Sequence, residues 1–485
     1  HSDGSYTPWA SYRTSITKIV VEDGITSIGK CAFSGCTIAS TVSIGNSVTS
    51  IGNTAFYNCD GVNTITIPDC VTSIGEAAFK NCNSLRTVTI GSGVTSIGGS
   101  AFQNCKALTS VTLGNSLETI DQSAFEGCSG LSTVTFPDSL KSIGYETFYN
   151  CSGMTELVIP DSVTSIGNSA FYNCSSLKTI WIGNGLDALA SSVFSSCSNV
   201  TNVTIGTGVT SISNNAFSYC DSLTSIVIPD NVTTIGYNAF FDCDALQTAV
   251  IGNGVATIDY NVFADCSKLT YVTLGSGIIS IGSSMFENCD SLISVTIPDN
   301  VVTLGNEMFY SCDNLQEVVI GSGVTSIPAY LCQSCPKLTR VTIGANVTNI
   351  GSYAFSYCDA LTAITIPDNV TSLGSYAFAH CPSLKTIVMG SGLTSVGDSV
   401  FSDCDGLVSV KIGSGVTNIK GSAFNDCDSL ASVTIPASVT RIYSNAFRYC
   451  DKLTNVYFEG DAPVIDSNAF IASSTVLRYL EGTYG

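Results

Sequence analysis

Cysteine recurs in this chain at one fixed interval. Cys36, Cys59, Cys82, Cys105 and Cys128 stand 23 residues apart, and the row runs without a slip to Cys450. It holds 19 cysteines with no insertion or deletion between them. Phenylalanine keeps the same step three positions earlier, from Phe33, Phe56 and Phe79 to Phe470, with Cys332 as the one exception. A chain of 485 residues would otherwise suggest about three globular domains. Strict self-similarity at this period points instead to a stack of small equivalent units. With the unit opened at Ile16, twenty repeats follow and the last begins at Leu453.

The pattern inside one unit says how it is built. In the repeat that opens at Leu85, Val88 and Ile90 alternate with Thr87 and Thr89, as in a strand with one buried face. β-branched threonines suit the exposed face of such a strand. A turn follows at Gly91-Ser92-Gly93, or at Pro68-Asp69 and Pro229-Asp230 in other units. Val94 and Ile97 then point back inward, and Ala101-Phe102 with Cys105 close the coil on a short helical or irregular turn. One such unit is too small to bury its own apolar side, so neighbouring coils must share a continuous core, which makes a solenoid. A second period of 69 residues is carried by Pro229, Pro298, Pro367 and Pro436, and is read as duplication of three-repeat blocks. Pro68 and Pro137 keep the same spacing, while Pro160 begins the later phase.

The segment Ile159-Pro160-Asp161-Ser162-Val163-Thr164-Ser165-Ile166-Gly167 and the V-T-S-I-G-x-x-A-F-x-x-C core resemble the BspA-like class of leucine-rich repeats. The likeness covers residues 16 to 475 or so. It implies an α/β-class, right-handed leucine-rich-repeat solenoid of about 20 repeats, with a parallel sheet on the concave side and short helical or irregular turns outside. It also implies a secreted or surface-displayed protein, since several members act as adhesins for host matrix proteins. Residues 1–15, with Tyr6, Trp9 and Tyr12, are expected to cap the first coil, and residues 16–458 to form the solenoid. Residues 459–485 are expected to hold the last repeat, with Ser473 in the cysteine slot, and a cap continuing through Val476-Leu477-Arg478-Tyr479-Leu480. A start at His1 without an apolar leader reads as a processed or trimmed chain.

The 22 cysteines raise the question of a disulfide framework. Equivalent slots in adjacent coils lie about 4.8 Å apart, but their Cβ vectors run parallel where a bridge needs them to converge. An odd row of 19 also leaves one without a partner. The ladder is therefore expected to be reduced and buried, each thiol acting as a small apolar group with a weak donor. Cys332 and Cys335 form a C-x-x-C spacing, and the simpler reading is that Cys332 fills a vacated Phe slot.

Other chemistry is scarce. There are 38 acidic against 18 basic side chains, a formal charge of −20, and two histidines. Such a surface repels nucleic acid and anionic membranes. No apolar run approaches the ~18 residues that membrane insertion requires. His380 adjoins Cys381, yet its slot holds Asn58, Asn81, Asp242 or Tyr449 in other repeats, so it reads as a solvent-facing variant. Asp69, Asp138, Asp161, Asp230, Asp299 and Asp368 follow turn prolines, where Asp is favoured for local hydrogen bonding. No metal ligands converge, no cofactor motif is present, and no catalytic residue is assigned. Seven N-x-(S/T) sequons, including Asn150, Asn173, Asn346 and Asn369, fall out of the repeat consensus.

On a repetitive scaffold, departures from the repeat at outward positions are the best functional clue. Ser and Thr give way at Glu156, Val158, Trp181, Asn202, Val227, Val250, Tyr271, Glu317, Val319, Arg340, Val388 and Lys411. Glu156, Val158, Trp181 and Asn202 belong to three successive strands and are expected to form one binding patch, with Trp181 as an anchor for a protein or a glycan. The reading that results is an extracellular or cell-surface binding module for a macromolecular partner, and not an enzyme. Self-association into fibres or a surface layer is the alternative. Ice binding through Thr64/Thr66, Thr87/Thr89 and Thr133/Thr135 is opposed by the loss of those rows in later repeats.

Overall fold

A computed structural model describes residues 8–471 and 476–479, so Tyr6, Ser473 and Leu480 lie outside the described residues. The chain forms two compact units, His1–Leu246 and Gln247–Gly485. Each is a run of the same coil, and the coils together make a parallel-sheet β-solenoid of about 20 turns. The side of the coil expected from the V-T-I alternation is a strand of up to four residues. Thr64–Ile67 shows it, with Ile65 and Ile67 buried and Thr64 and Thr66 exposed. It pairs in parallel with Thr87–Ile90, Thr64 against Thr87, and that strand pairs with Ser110–Thr112. The register is therefore one whole repeat.

Two further sides close the coil. A second parallel ladder is made of two-residue strands, Ser50 against Ser73, Ser73 against Ser96 and Ser96 against Thr119. The third side, the A-F-x-x-C segment, is irregular turn. Among the described residues the sole helix is a six-residue 3-10 turn at Ala10–Ser15, so of the helical or irregular turns expected outside the sheet the irregular form is found. The reason lies in the backbone. Thr54 and Asn58 have φ of 53° and 57°, and the following coils repeat this pair of left-handed residues four positions apart as far as Asn445 and Tyr449. Asn, Asp and Gly tolerate that region best. Hence Asn58, Asn81 and Asn104 share the slot with Gly35 and Gly127. Between them the N–H groups of Thr54, Phe56 and Asn58 donate to Glu76, Ala78 and Lys80 of the next coil at 2.7–2.9 Å. On the strand sides the direction is opposite, for example Thr72 N–H to Thr49 O at 2.9 Å.

The core follows from this repetition. In the first unit Trp9 and the phenylalanines from Phe33 to Phe240 stack face to face, with centroids 5.0–5.6 Å apart. Trp9 also donates its indole N–H to Ala32 O at 2.7 Å, which seats it on the end of the column. In the second unit the column stops at Phe309 and resumes at Phe355, because fully buried Cys332 takes the Phe slot. Behind the rings, ladder thiols donate to a carbonyl 26 residues earlier, as Cys82 does to Phe56 at 3.2 Å, Cys128 to Phe102 at 3.1 Å and Cys358 to Cys332 at 3.3 Å.

The 69-residue period has a backbone meaning. Gly390 N–H donates to Ile366 O at 2.9 Å and extends that ladder by one bond. A proline in the corresponding place has no N–H to give. The strand of the coil before Pro137, Pro229, Pro298, Pro367 and Pro436 is accordingly short, at Ser110–Thr112, Asn202–Thr204, Tyr271–Thr273, Arg340–Thr342 and Ser409–Lys411, while Thr41–Ile44 before Pro68 keeps four residues by pairing with Lys18–Val21. At Pro229, Pro298 and Pro367 the long-strand side breaks into blocks, such as the three-stranded sheet of Glu156–Ile159, Thr179–Ile182 and Asn202–Thr204, whereas at Pro137 and Pro436 the shortened strands remain paired.

Truncating one ring tests how far the column carries stability. Phe171→Ala removes a fully buried ring between Phe148 and Phe194. It is expected to lower stability by about 3–5 kcal/mol, read from urea unfolding followed by circular dichroism.

Candidate functional site

The long-strand side presents its outward residues in rows. Glu156 lies opposite Thr179, which lies opposite Asn202, and Val158, Trp181 and Thr204 form the parallel row two positions on. All four residues expected to make a patch thus stand on three adjacent strands and one face. Val158 is 56% and Trp181 40% exposed, on a surface otherwise lined by Ser and Thr hydroxyls. The following strand, Ser225–Ile228, adds Val227 at 62% exposure. The second unit carries its own departures. Val250 and Tyr271 are exposed on neighbouring strands, and Val388 lies opposite Lys411. Glu317 and Arg340 face each other across one strand spacing and form an ion pair of 3.3 Å, so each charge has an internal partner.

Outside the sheet, the residues that invited a catalytic reading separate. Cys381 is fully buried and donates to Phe355 O at 3.3 Å. Burial pushes its thiol up to about 12, where it is no nucleophile at neutral pH. His380 occupies a left-handed slot, φ 57°, stacks on Tyr357 at 4.5 Å and sets Nδ1 3.5 Å from Asp403 Oδ2. Thiol and imidazole therefore serve different surroundings. Cys332 and Cys335 are both buried, and Cys335 donates to Phe309 O at 3.0 Å as any ladder cysteine does. All 22 cysteines are free, with Cys31 and Cys70 alone half-buried.

The turn carboxylates hold coil to coil. Asp69 Oδ1 accepts the Ser92 N–H at 2.7 Å and the Ser92 hydroxyl at 3.0 Å, and Asp299 and Asp368 do the same with Ser322 and Ser391. These bonds keep the three carboxyls below their ordinary range. Asp426 departs the other way: burial, then the charges of Asp403, Asp428, Asp405 and Asp451, raise it. Among the described residues no group of three or more His, Cys, Asp or Glu is disposed to hold a metal ion. No helix among them is long and apolar enough to cross a membrane. Two sequon asparagines, Asn150 and Asn173, are bonded to each other at 2.7 Å in left-handed slots.

The repeat itself matches a known pattern. Residues 9–132, 120–247, 233–362 and 348–476 match the BspA type leucine-rich repeat region (6 copies). The chain belongs to the BspA-type leucine-rich repeat family. Its fold is similar to that of a leucine-rich repeat protein from Bacteroides ovatus, 24% identical over 86% of this chain and 92% of that one, with a TM-score of 0.54. A leucine-rich cell surface protein from Faecalibacterium prausnitzii is 28% identical over 85% of this chain and 84% of its own, with a TM-score of 0.27. A search of curated proteins finds no match.

Within this BspA-type framework the sequence reading passed over one surface. Tyr330, Tyr353 and Tyr376 stack at 5.3 and 4.9 Å in successive left-handed slots, beside Tyr357 and His380. The signal was a tyrosine at the 23-residue step, visible once the slot is recognised.

Two measurements check the site chemistry. Ellman's reagent is expected to titrate no more than Cys31 and Cys70 in the native protein and all 22 thiols in denaturant. Asp426→Asn, an exchange the left-handed backbone accepts, is expected to raise the urea midpoint at pH 7 and leave it unchanged at pH 3. The raised carboxyl binds a proton in the folded state that the unfolded chain has already lost. Stability therefore falls as pH rises through that window, and the variant removes the loss.

Proposed function

We propose that this protein is a secreted or cell-surface binding module that adheres to an extracellular protein through its long-strand face, without catalysis. The observation that carries the reading is Trp181, 40% exposed in a row with Val158 on a surface of hydroxyls. A large aromatic side chain held on a rigid strand supplies contact area at little cost in conformational entropy, and such residues dominate binding energy at interfaces. Glu156 and Asn202 flank it at the level of Thr179 and supply polar contacts at the rim. Membership of the BspA-type family supports a protein-binding role and an extracellular or surface location. The carboxylate excess favours a partner with a basic patch, recruited more readily at low salt.

Self-association is a second reading, and one feature favours it. Among the described residues the strand Lys18–Val21 pairs with Thr41–Ile44 alone, and beside it Trp9, Val20, Ile25 and Phe33 help line an open groove of about 450 Å³. Light scattering over a concentration series separates the two readings.

Surface plasmon resonance against immobilised extracellular-matrix proteins is the direct test. Trp181→Ala is expected to weaken binding at least tenfold while leaving the urea midpoint unchanged. Unaltered binding to every matrix protein that captures the wild type refutes this face as the site.

A further inference from the structure

The proline junctions leave more than a shortened strand. At Pro137 and Pro436 a glycine of the preceding coil stands over another glycine. A Cβ on Gly114 would overlap the Gly91 carbonyl oxygen, and one on Gly413 the Gly390 oxygen. The next coil then presents Pro137 or Pro436, which donates nothing. Among the described residues, no hydrogen bond reaches the carbonyl of Leu113 or of Ile412. The strands stay paired up to this point, Val111 against Val134 and Lys411 against Thr434, but the ladder ends one bond early, and a notch forms on the long-strand face in each unit. It measures about 350 Å³ at residues 110–137 and about 550 Å³ around Lys411 and Pro436. A glycine that tolerates no side chain and a proline that lacks its donor keep the notch open.

The lining has a definite chemistry. In the first unit, Ser110, Thr112, Thr133 and Thr135 supply exposed hydroxyls, and Phe136 with Pro137 makes an apolar floor. No charged side chain lines this notch. In the second unit Asp368, Lys411 and Glu459 all line the notch, and the Ser391 hydrogen bonds, helped by the Lys411 charge, hold the Asp368 carboxyl below its ordinary range. We propose that these notches are subsites for a neutral, hydroxyl-rich saccharide chain. Pyranose rings offer an apolar C–H face to the floor, and hydroxyls that donate to the unpaired carbonyl and exchange hydrogen bonds with Ser and Thr. The −20 charge of the protein opposes uronic, sialylated or sulfated polymers.

Repetition makes weak subsites useful. In the second unit the same Gly-to-Pro junction recurs at Gly275/Pro298, Gly344/Pro367 and Gly413/Pro436. Three coils separate each from the next, about 14 Å along the stack. One polymer chain that engages several notches gains avidity, because each later contact is intramolecular. This inference is independent of the Trp181 patch, which lies on other strands of the same face.

Affinity gel electrophoresis of the full chain tests it, with laminarin, dextran and mannan as neutral probes and hyaluronan as the anionic control. At least one neutral polysaccharide is expected to retard the wild type and hyaluronan is not. Pro137→Ala/Pro436→Ala restores two N–H donors, lets the strands extend and is expected to cut retardation several-fold. Should that variant lose its native circular dichroism, Thr112→Lys/Thr135→Lys fills one notch from exposed strand positions, the second of which is matched by Lys411 in another coil. It is expected to weaken retardation in the same direction. Trp181→Ala is expected to retain it. The proposal is overturned if no neutral polysaccharide retards the protein or if hyaluronan retards it equally. It is also overturned if Trp181→Ala abolishes retardation while the notch variants preserve it.

Discussion

A backbone N–H that must find its acceptor in the adjoining coil is the constraint on which this protein rests. Within a coil the backbone closes short turn bonds, as Val71 does to Pro68, but one coil is too small to bury its own apolar side. Its strand sides donate back to the preceding coil, as Thr72 does to Thr49, and its turn side donates forward, as Phe56 does to Ala78. Coils are thereby held in one-repeat register on three sides. Identical side chains fall on identical side chains, so a ring stacks on a ring and a thiol finds the same carbonyl each time. A residue that suits one coil suits its neighbours for the same reason.

Much of this was legible in the sequence. The alternation of Val88 and Ile90 with Thr87 and Thr89 assigns inside and outside correctly, and the 23-residue step predicts both the Phe and the Cys columns. The second strand, Ser73–Ile74, was not read as one, since two residues carry no periodicity. The sequence leaves the choice between helical and irregular turns open. Its answer depends on two left-handed residues per coil, a preference that Asn and Asp suggest but that Tyr219, Tyr357 and His380 dilute. The prolines at 69-residue spacing were seen and read as a record of duplication. Their structural effect needed the position of the carbonyl each one fails to satisfy.

The candidate surface divides in the same way. Trp181 announces itself because it breaks a row of hydroxyls, and register alone puts it beside Val158. The notches announce nothing, for they are made by Gly and Pro, which the repeat uses freely as turn residues. Their signal is a missing bond, and a missing bond has no letter. Several charged residues hold the scaffold: turn aspartates bind the next turn, and Glu317 is matched by Arg340. What is left for recognition is a few departures on an otherwise uniform wall.

The one-repeat register has a consequence for how such a chain changes over time. A single inserted residue would throw two ladders, the turn-side bonds and the aromatic stack out of step together, and no local adjustment repairs all of them. The molecule therefore grows or shrinks only in whole coils. Because the turn proline recurs at every third coil from Pro160 to Pro436, the natural quantum is three. Reach, and the number of contacts a surface can offer, are adjusted in integers.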